Sequence, residues 1–248
     1  MRVRSQLAAF GKAWRVGAHV LSGVAQIVVL FPRLSKEQCG RRVQNWARGM
    51  LKRLGIELEV VGAAARNESM LLVSNHISWL DIVALHAACY CRFVSKADVA
   101  RWPLLGILAT GGGTLYVKRD SRRDAMRVVH RMVDALKDGD VIAVFPEGTT
   151  GDGSSVLPFH SSLIQAAITA GAPVQAVALK IVDRRSGSPN RAASYMGDES
   201  LLASLWRTLR ARELRVVVAF GALQYSEGRD RRAWADDLHR EIAALREP

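Results

Sequence analysis

The sequence predicts an α/β domain with a mixed, mostly parallel central sheet flanked by helices, preceded by an N-terminal helical segment. Three observations carry this. Short Val/Ile/Leu-rich runs alternate with amphipathic helical stretches beyond Gly55. Several runs, such as "MLLVSN" and "APVQAVALKI", are apolar almost without interruption, as in strands covered on both faces. Finally, the first 55 residues have no strand pattern and a different charge balance. A length of 248 residues leaves room for one large domain plus an accessory segment, and the division is placed at 1–55 and 56–248.

The N-terminal segment opens with an uncharged run, "VGAHVLSGVAQIVVLF" (residues 16–31), behind a basic stretch. Basic and apolar regions in that order resemble a secretory leader, but Pro32-Arg33-Leu34 follows where small residues would mark cleavage. Sixteen helical residues rise about 24 Å, short of a hydrocarbon core of about 30 Å. His19, Ser22 and Gln26 further weaken a spanning helix. A partly inserted or re-entrant anchor is therefore preferred over a marginal spanning helix or an ordinary buried one.

"SKEQCGRRVQNWARGMLKRLG" follows. Val43, Trp46, Ala47, Met50, Leu51 and Leu54 form one apolar stripe at helical spacing, with Ser35 placed to cap the start and Gly55 the end. Arg41, Arg42, Arg48, Lys52 and Arg53 fill the flanks. A core helix with a solvated basic face is the ordinary explanation. Beside an uncharged anchor, the interface of an anionic membrane becomes the preferred one.

Charge supports that choice. The net charge is +12, and up to Arg53 eleven Lys and Arg residues face a single acid, Glu37. Such asymmetry calls for a polyanionic partner: nucleic acid, an anionic lipid surface or an acidic carrier protein. No zinc knuckle, base-stacking aromatic platform or recognition helix is visible, so nucleic acid is the weaker choice. Three cysteines (Cys39, Cys89 and Cys91) fit neither a disulfide framework nor zinc spacing.

Beyond Gly55 the strand candidates in order are "IELEVVG", "MLLVSN", "CRFVSK", "GTLYVKR", "VIAVFPEG", "APVQAVALKI" and "LRVVVAFG". Residues 121–137 read as a helix with Met126, Val129, Met132, Val133 and Leu136 on one side. Residues 183–194, rich in Ser, Arg, Gly and Asn, read as an exposed loop.

Chemistry gathers where strands end, which is where open α/β sheets bind ligands. "LLVSNHISWLD" stops an apolar strand at His76 and places Asp81 five residues on. On one regular helix those side chains would diverge by about 140°. His76 must then sit in a loop, with Asp81 returning from the first turn of the next helix. There Asp81 can accept the ring N–H and leave the other nitrogen as a base. A helix-capping histidine with a first-turn acid is the simpler account of this pair alone. "GTLYVKRD" brings Arg119 to a second strand end, and "VFPEGTTGDG" brings Glu147, Gly148, Thr149 and Thr150 to a third. A base, a cation and a polar Gly-containing turn on one rim describe a site that binds an anion and deprotonates a group beside it.

The ordered blocks "NHISWLD", "GTLYVKR" and "FPEGT" resemble the 1-acyl-glycerol-3-phosphate acyltransferase family of lysophospholipid acyltransferases. The likeness spans roughly residues 71–181. It implies an α/β acyltransferase domain behind a helical membrane module, with His76 as general base and Asp81 as its partner. It also implies Arg119 on the acceptor's phosphate, and Glu147, Gly148 and Thr149 lining the acceptor site. Lys96, Pro103 and Gly106, in "SKADVARWPLLG", resemble the family's intervening segment, with Lys96 as a further substrate-binding residue. The expected donor is acyl-CoA or acyl carrier protein, with no cofactor and no metal. Expected partners are membrane lipids and a lysolipid acceptor, not nucleic acid, at the cytoplasmic face of the inner membrane. Thr150 stands where many lysophosphatidate-using members have Arg, and Ala176 where a second proline is common. "FPEGTTGDGSSVLPFHSSL" is also similar to bacterial lyso-ornithine lipid acyltransferases.

Neutral imidazole suits deprotonation of an attacking alcohol near neutral pH. No Gly-x-Ser-x-Gly elbow is present, Cys89 and Cys91 lack a nearby base in sequence, and Ser78 reads as a helix-start residue. Direct transfer in a ternary complex is therefore expected over a covalent acyl-enzyme. A thioesterase is the rival within this chemistry. A metal site on His76, Asp81 and His86 is disfavoured by intervals of five.

Overall fold

A computed structural model describes residues 2–65, 69–117, 122–197 and 199–247. Among the described residues seven strands form one sheet: β1 (Ile56–Val61), β2 (Met70–Ser74), β3 (Arg92–Lys96), β4 (Leu115–Val117), β5 (Val141–Val144), β6 (Val174–Asp183) and β7 (Leu214–Gln224). Their order is β1-β7-β6-β2-β5-β3-β4, and every neighbouring pair is parallel except β6 with β7. Central β2 and β6 are the apolar runs, and all five residues of β2 are buried. At one edge, β1 alternates or leaves its residues exposed, as one covered face allows.

Among the described residues eight α-helices flank the sheet: α1 (Arg2–Val29), α2 (Lys36–Leu54), α3 (Leu80–Ala88), α4 (Leu105–Gly111), α5 (Arg122–Lys137), α6 (Gln165–Ala170), α7 (Leu201–Arg210) and α8 (Arg231–Leu245). One core holds Val16 of α1, Met50, Leu51 and Leu54 of α2, Leu80 and Leu85 of α3, and Leu209 of α7. The opposite core holds Met132 and Leu136 of α5, Ala166 and Ala167 of α6, and Trp234, Leu238 and Ile242 of α8. On α5, the helix expected at 121–137, Met126 is largely exposed and Val128 is buried instead.

The N-terminal helices differ from expectation in two ways. α1 is one continuous helix of 28 residues, about 42 Å long, not a sixteen-residue dip. Over Ala9–Arg33 it is long and apolar enough to cross a membrane by length and composition. One side nevertheless lies on the domain: Ala13, Val16 and Val20 pack on the core, Gly23 abuts Trp46 and Leu108, and Ile27 abuts Gly111. The polar groups that weakened a spanning reading are used there. His19 hydrogen bonds the Trp46 carbonyl (2.9 Å) and stacks on the Trp46 ring, while Gln26 accepts from Arg42 (3.4 Å). The other side leaves Trp14, Leu21 and Val28 bare, at seven-residue steps. α2 is capped as predicted, by a Ser35–Gln38 capping box and by Gly55 at φ 72°. Its apolar stripe is buried against the domain, so α2 serves the core and only its basic flank remains outward.

The 183–194 segment is also only half a surface loop. It turns at 183–188, bridges back onto β6 at Pro189, and buries Ala193 and Ser194.

β6 outruns β2, which ends at Ser74. Asn75 completes the ladder with its side chain: Nδ2 donates to the Leu179 carbonyl (3.1 Å) and Oδ1 accepts from the Leu179 N–H (2.8 Å). Both partners are buried. Asn75→Ala strands two buried backbone groups and is expected to lower stability by about 2–4 kcal/mol, read by denaturant unfolding in detergent. A loss under about 0.5 kcal/mol contradicts this role for the amide.

Candidate active site

β2, β3, β4, β5 and β6 all point the same way, so their carboxyl ends share one rim. His76 follows β2 in a short loop, and α3 starts at Leu80 with Asp81 in its first turn. Asp81 curls back. Its Oδ2 accepts from His76 Nδ1 (2.8 Å) and from the backbone N–H groups of Ile77 (2.6 Å) and Ser78 (2.8 Å). Asp81 is fully buried, whereas 18% of the His76 side chain remains exposed. A carboxylate only accepts, so Nδ1 carries a ring proton, and in the neutral ring Nε2 keeps its lone pair. Ser78 does serve the helix start, its hydroxyl accepting from the Leu80 N–H (3.2 Å).

The ring is fixed by more than its partner. Phe145, just past β5, stacks on His76 with centroids 3.9 Å apart and planes 8° from parallel. Phe93 of β3 stacks behind Phe145. Gly151 donates its N–H to the His76 carbonyl (2.8 Å), and Tyr195 donates to that of Ile77 (3.1 Å). Aromatic contact on one face, a carboxylate at one edge and a held backbone fix the position of the ring.

The third strand end lies alongside. Glu147 is buried at 5% exposure, with Oε1 accepting from the Leu157 N–H (3.3 Å) and Oε2 without a partner among the described residues. Burial, above all, pushes its carboxyl up to about 7. The Leu157 and His76 amides oppose this, the Asp81 charge adds to it and Arg246 opposes it. Gly148 takes φ 71°, and a Cβ there would meet the His160 ring at 3.2 Å. Thr149 is exposed. The Thr150 hydroxyl is turned to the Tyr195 carbonyl, so this position ties two loops together and offers no cation.

The remaining sequence-predicted residues divide. Lys96 ends β3 on the same rim and pairs with Asp98 (2.7 Å). Arg119 lies outside the described residues; β4, which leads to it, ends at Val117 beside Lys96. His86 stands apart from the pair, buried edge-on against Phe93, its imidazole pulled down to about 4 by burial. No group of three His, Cys, Asp or Glu residues suited to a metal occurs among the described residues. Sequence reasoning missed Phe145 and Arg246. Phe145 was visible as the apolar residue before Pro-Glu-Gly, but its stacking depends on β5 lying beside β2. Arg246 had no local signal.

Comparison with known proteins decides the family. The acyltransferase family model matches residues 57–180. This chain belongs to the acyltransferase family. Among its relatives, a 1-acyl-sn-glycerol-3-phosphate acyltransferase of Neisseria meningitidis is 36% identical over 84% of this chain and 82% of its own. A lyso-ornithine lipid O-acyltransferase of Pseudomonas aeruginosa is 40% identical over 77% of this chain and 72% of its own. The crystal structure of a 1-acyl-sn-glycerophosphate acyltransferase from Thermotoga maritima superposes with a TM-score of 0.72 at 15% identity, over 100% of this chain and 98% of that one. That last likeness concerns the fold.

Glu147 makes stability depend on pH. Its folded value, about 7, stands above the ordinary 4.5, so the folded protein holds a proton that the unfolded chain releases. The resulting stabilisation is full below the ordinary value and is lost as pH rises through the folded one. Between about pH 5 and 8 the wild type is expected to lose on the order of 3 kcal/mol relative to Glu147→Gln, by denaturant unfolding. Both proteins carry His86, so its own acid-side effect cancels. Parallel profiles contradict the buried carboxyl.

Proposed function

We propose that this acyltransferase moves a fatty acyl group from a thioester donor to the free hydroxyl of a lysolipid. The acceptor in this reading is 1-acyl-glycerol-3-phosphate, giving phosphatidate in phospholipid biosynthesis. The His76–Asp81 pair carries it. Nε2 takes the hydroxyl proton as the oxygen attacks the thioester carbonyl, and Asp81 offsets the imidazolium charge. The tetrahedral intermediate then expels the thiolate, which recovers the proton from Nε2. No acyl-enzyme is needed, and no cofactor or metal enters. The donor is acyl-CoA or acyl carrier protein.

Residue roles on the acceptor side follow the family resemblance. Arg119 holds the phosphate, with Lys96, Gly148 and Thr149 around it. Glu147, buried behind that turn, shapes it. Lysolipids reside in bilayers, and α1 supports a place on one. Its bare Trp14, Leu21 and Val28 stripe lies outside the packed core, and the N-terminal fifth holds most of the excess positive charge. Packing of α1 along the domain favours a monotopic association at the cytoplasmic face of the inner membrane over a span.

A second head group is favoured by one observation. Thr150 supplies no cation to the acceptor side and spends its hydroxyl on Tyr195. This agrees with lyso-ornithine lipid, whose head group has no glycerol phosphate, as acceptor.

The test presents one labelled acyl donor with 1-acyl-glycerol-3-phosphate, other lysophospholipids or lyso-ornithine lipid. Diacylated product from the first is expected, with His76→Ala slower by at least about 100-fold. Product from lyso-ornithine lipid alone reassigns the head group. Acyl release to water that is indifferent to any acceptor overturns the transferase reading.

A further inference from the structure

On the flank of His76 away from β4, the rim opens into a cavity of about 420 Å³. Its walls are the end of β6, the returning 189–194 segment, the 152–156 turn and the last turn of α8. The charged and titratable lining comprises Lys180, Arg191, Arg246, His239, Asp152 and Glu247. Asp152 is already satisfied, by Arg191 (2.6 Å) and by the Ser154 amide (2.8 Å) and hydroxyl. Lys180 donates to the Glu247 carbonyl (3.4 Å). Arg246 donates one arm to the Gly153 carbonyl, while its buried Nε has no partner among the described residues. A guanidinium drawn out of water with an idle N–H is costly unless an anion completes it.

We infer that this cavity receives the phosphate of the acyl donor's carrier arm, with Lys180, Arg191 and Arg246 as its ligands. This rests on the acyl-transfer reading above and adds the donor side to it.

Three observations favour the donor over the lysolipid. Direct transfer requires both substrates to converge on Nε2 at once, so the donor needs its own approach. In 1-acyl-glycerol-3-phosphate the phosphate sits on the carbon next to the reacting hydroxyl, so it must lie close to the imidazole. The cavity is separated from His76 by the Gly151–Gly153 wall, whose Gly151 is bonded to the His76 carbonyl and whose Gly153 packs on Ile77. A thioester, in contrast, is divided from its carrier phosphate by a long flexible arm that can pass such a wall. Finally, α8, which forms one side of the cavity, packs on the sheet face opposite to the one α1 covers. The α8 side of the cavity thus lies across the sheet from the bare α1 stripe, where a water-borne carrier arrives.

Full-length protein and a Lys180→Gln/Arg191→Gln variant separate the possibilities. Adenosine 3′,5′-bisphosphate is titrated against each by calorimetry, and steady-state rates are measured with donor and acceptor varied in turn. The variant is expected to bind the bisphosphate about tenfold more weakly and to raise the KM for acyl-CoA about tenfold, with the acceptor KM unchanged. Loss against acyl-CoA but not acyl carrier protein assigns the pocket to the nucleotide phosphates; equal loss with both assigns it to the phosphopantetheine phosphate. An acceptor KM that rises alone, or affinities that do not move, overturn the proposal. Arg246→Lys should bind better than Arg246→Gln, which separates charge from folding. Wild type that binds the bisphosphate yet acylates no lysolipid keeps the cavity and defeats the acyl-transfer reading; wild type that acylates without binding it does the reverse.

Discussion

One carboxylate oxygen orders the active rim. Asp81 Oδ2 gathers three N–H groups, one from the His76 ring and two from the backbone of Ile77 and Ser78. The amides fix the loop between β2 and α3, and the ring N–H fixes the imidazole on that loop. Because Asp81 is fully buried, its charge acts in a region of weak screening and its contacts are short. The same bonds therefore start the helix, shape the loop and choose the tautomer. Removing the charge would loosen all three, so Asp81 is no optional helper to the ring.

The sheet then divides the work. Parallel pairing brings five strand ends to one rim, and Asn75 lets β6 continue where β2 stops. α1 and α2 cover one face and leave the bare α1 stripe outward, while α8 covers the opposite face and walls one side of a cation-lined cavity. Between them, Phe145 sits under the imidazole. The proposed transfer from a carrier-borne thioester to a lysolipid hydroxyl would use such a two-sided approach to His76.

Much of this was readable in the residues. Asp81 five positions after His76 forbids a single helix and demands a loop, and that is the geometry found. The strands lay in apolar runs bounded by turns, and Ser35 and Gly55 marked α2 by local capping chemistry. What stayed hidden was tertiary. The α2 stripe looks the same whether it meets lipid or α3, since periodicity records an apolar face and not its occupant. The uncharged run at 16–31 concealed a helix that begins at Arg2, because Lys12 and Arg15 interrupt hydropathy without interrupting helix. Asn75 and Phe145 act across strands distant in sequence, and Arg246 enters from the far end of the chain.

The central claim is that His76 rests as the Nδ1–H tautomer with Nε2 unprotonated. Nitrogen-15 NMR of histidine-labelled protein near neutral pH measures this directly. The account predicts a His76 spectrum with the proton on Nδ1 and an unprotonated Nε2 signal, lost in Asp81→Asn. A wild-type ring protonated on Nε2 alone, or a spectrum indifferent to Asp81→Asn, would contradict it.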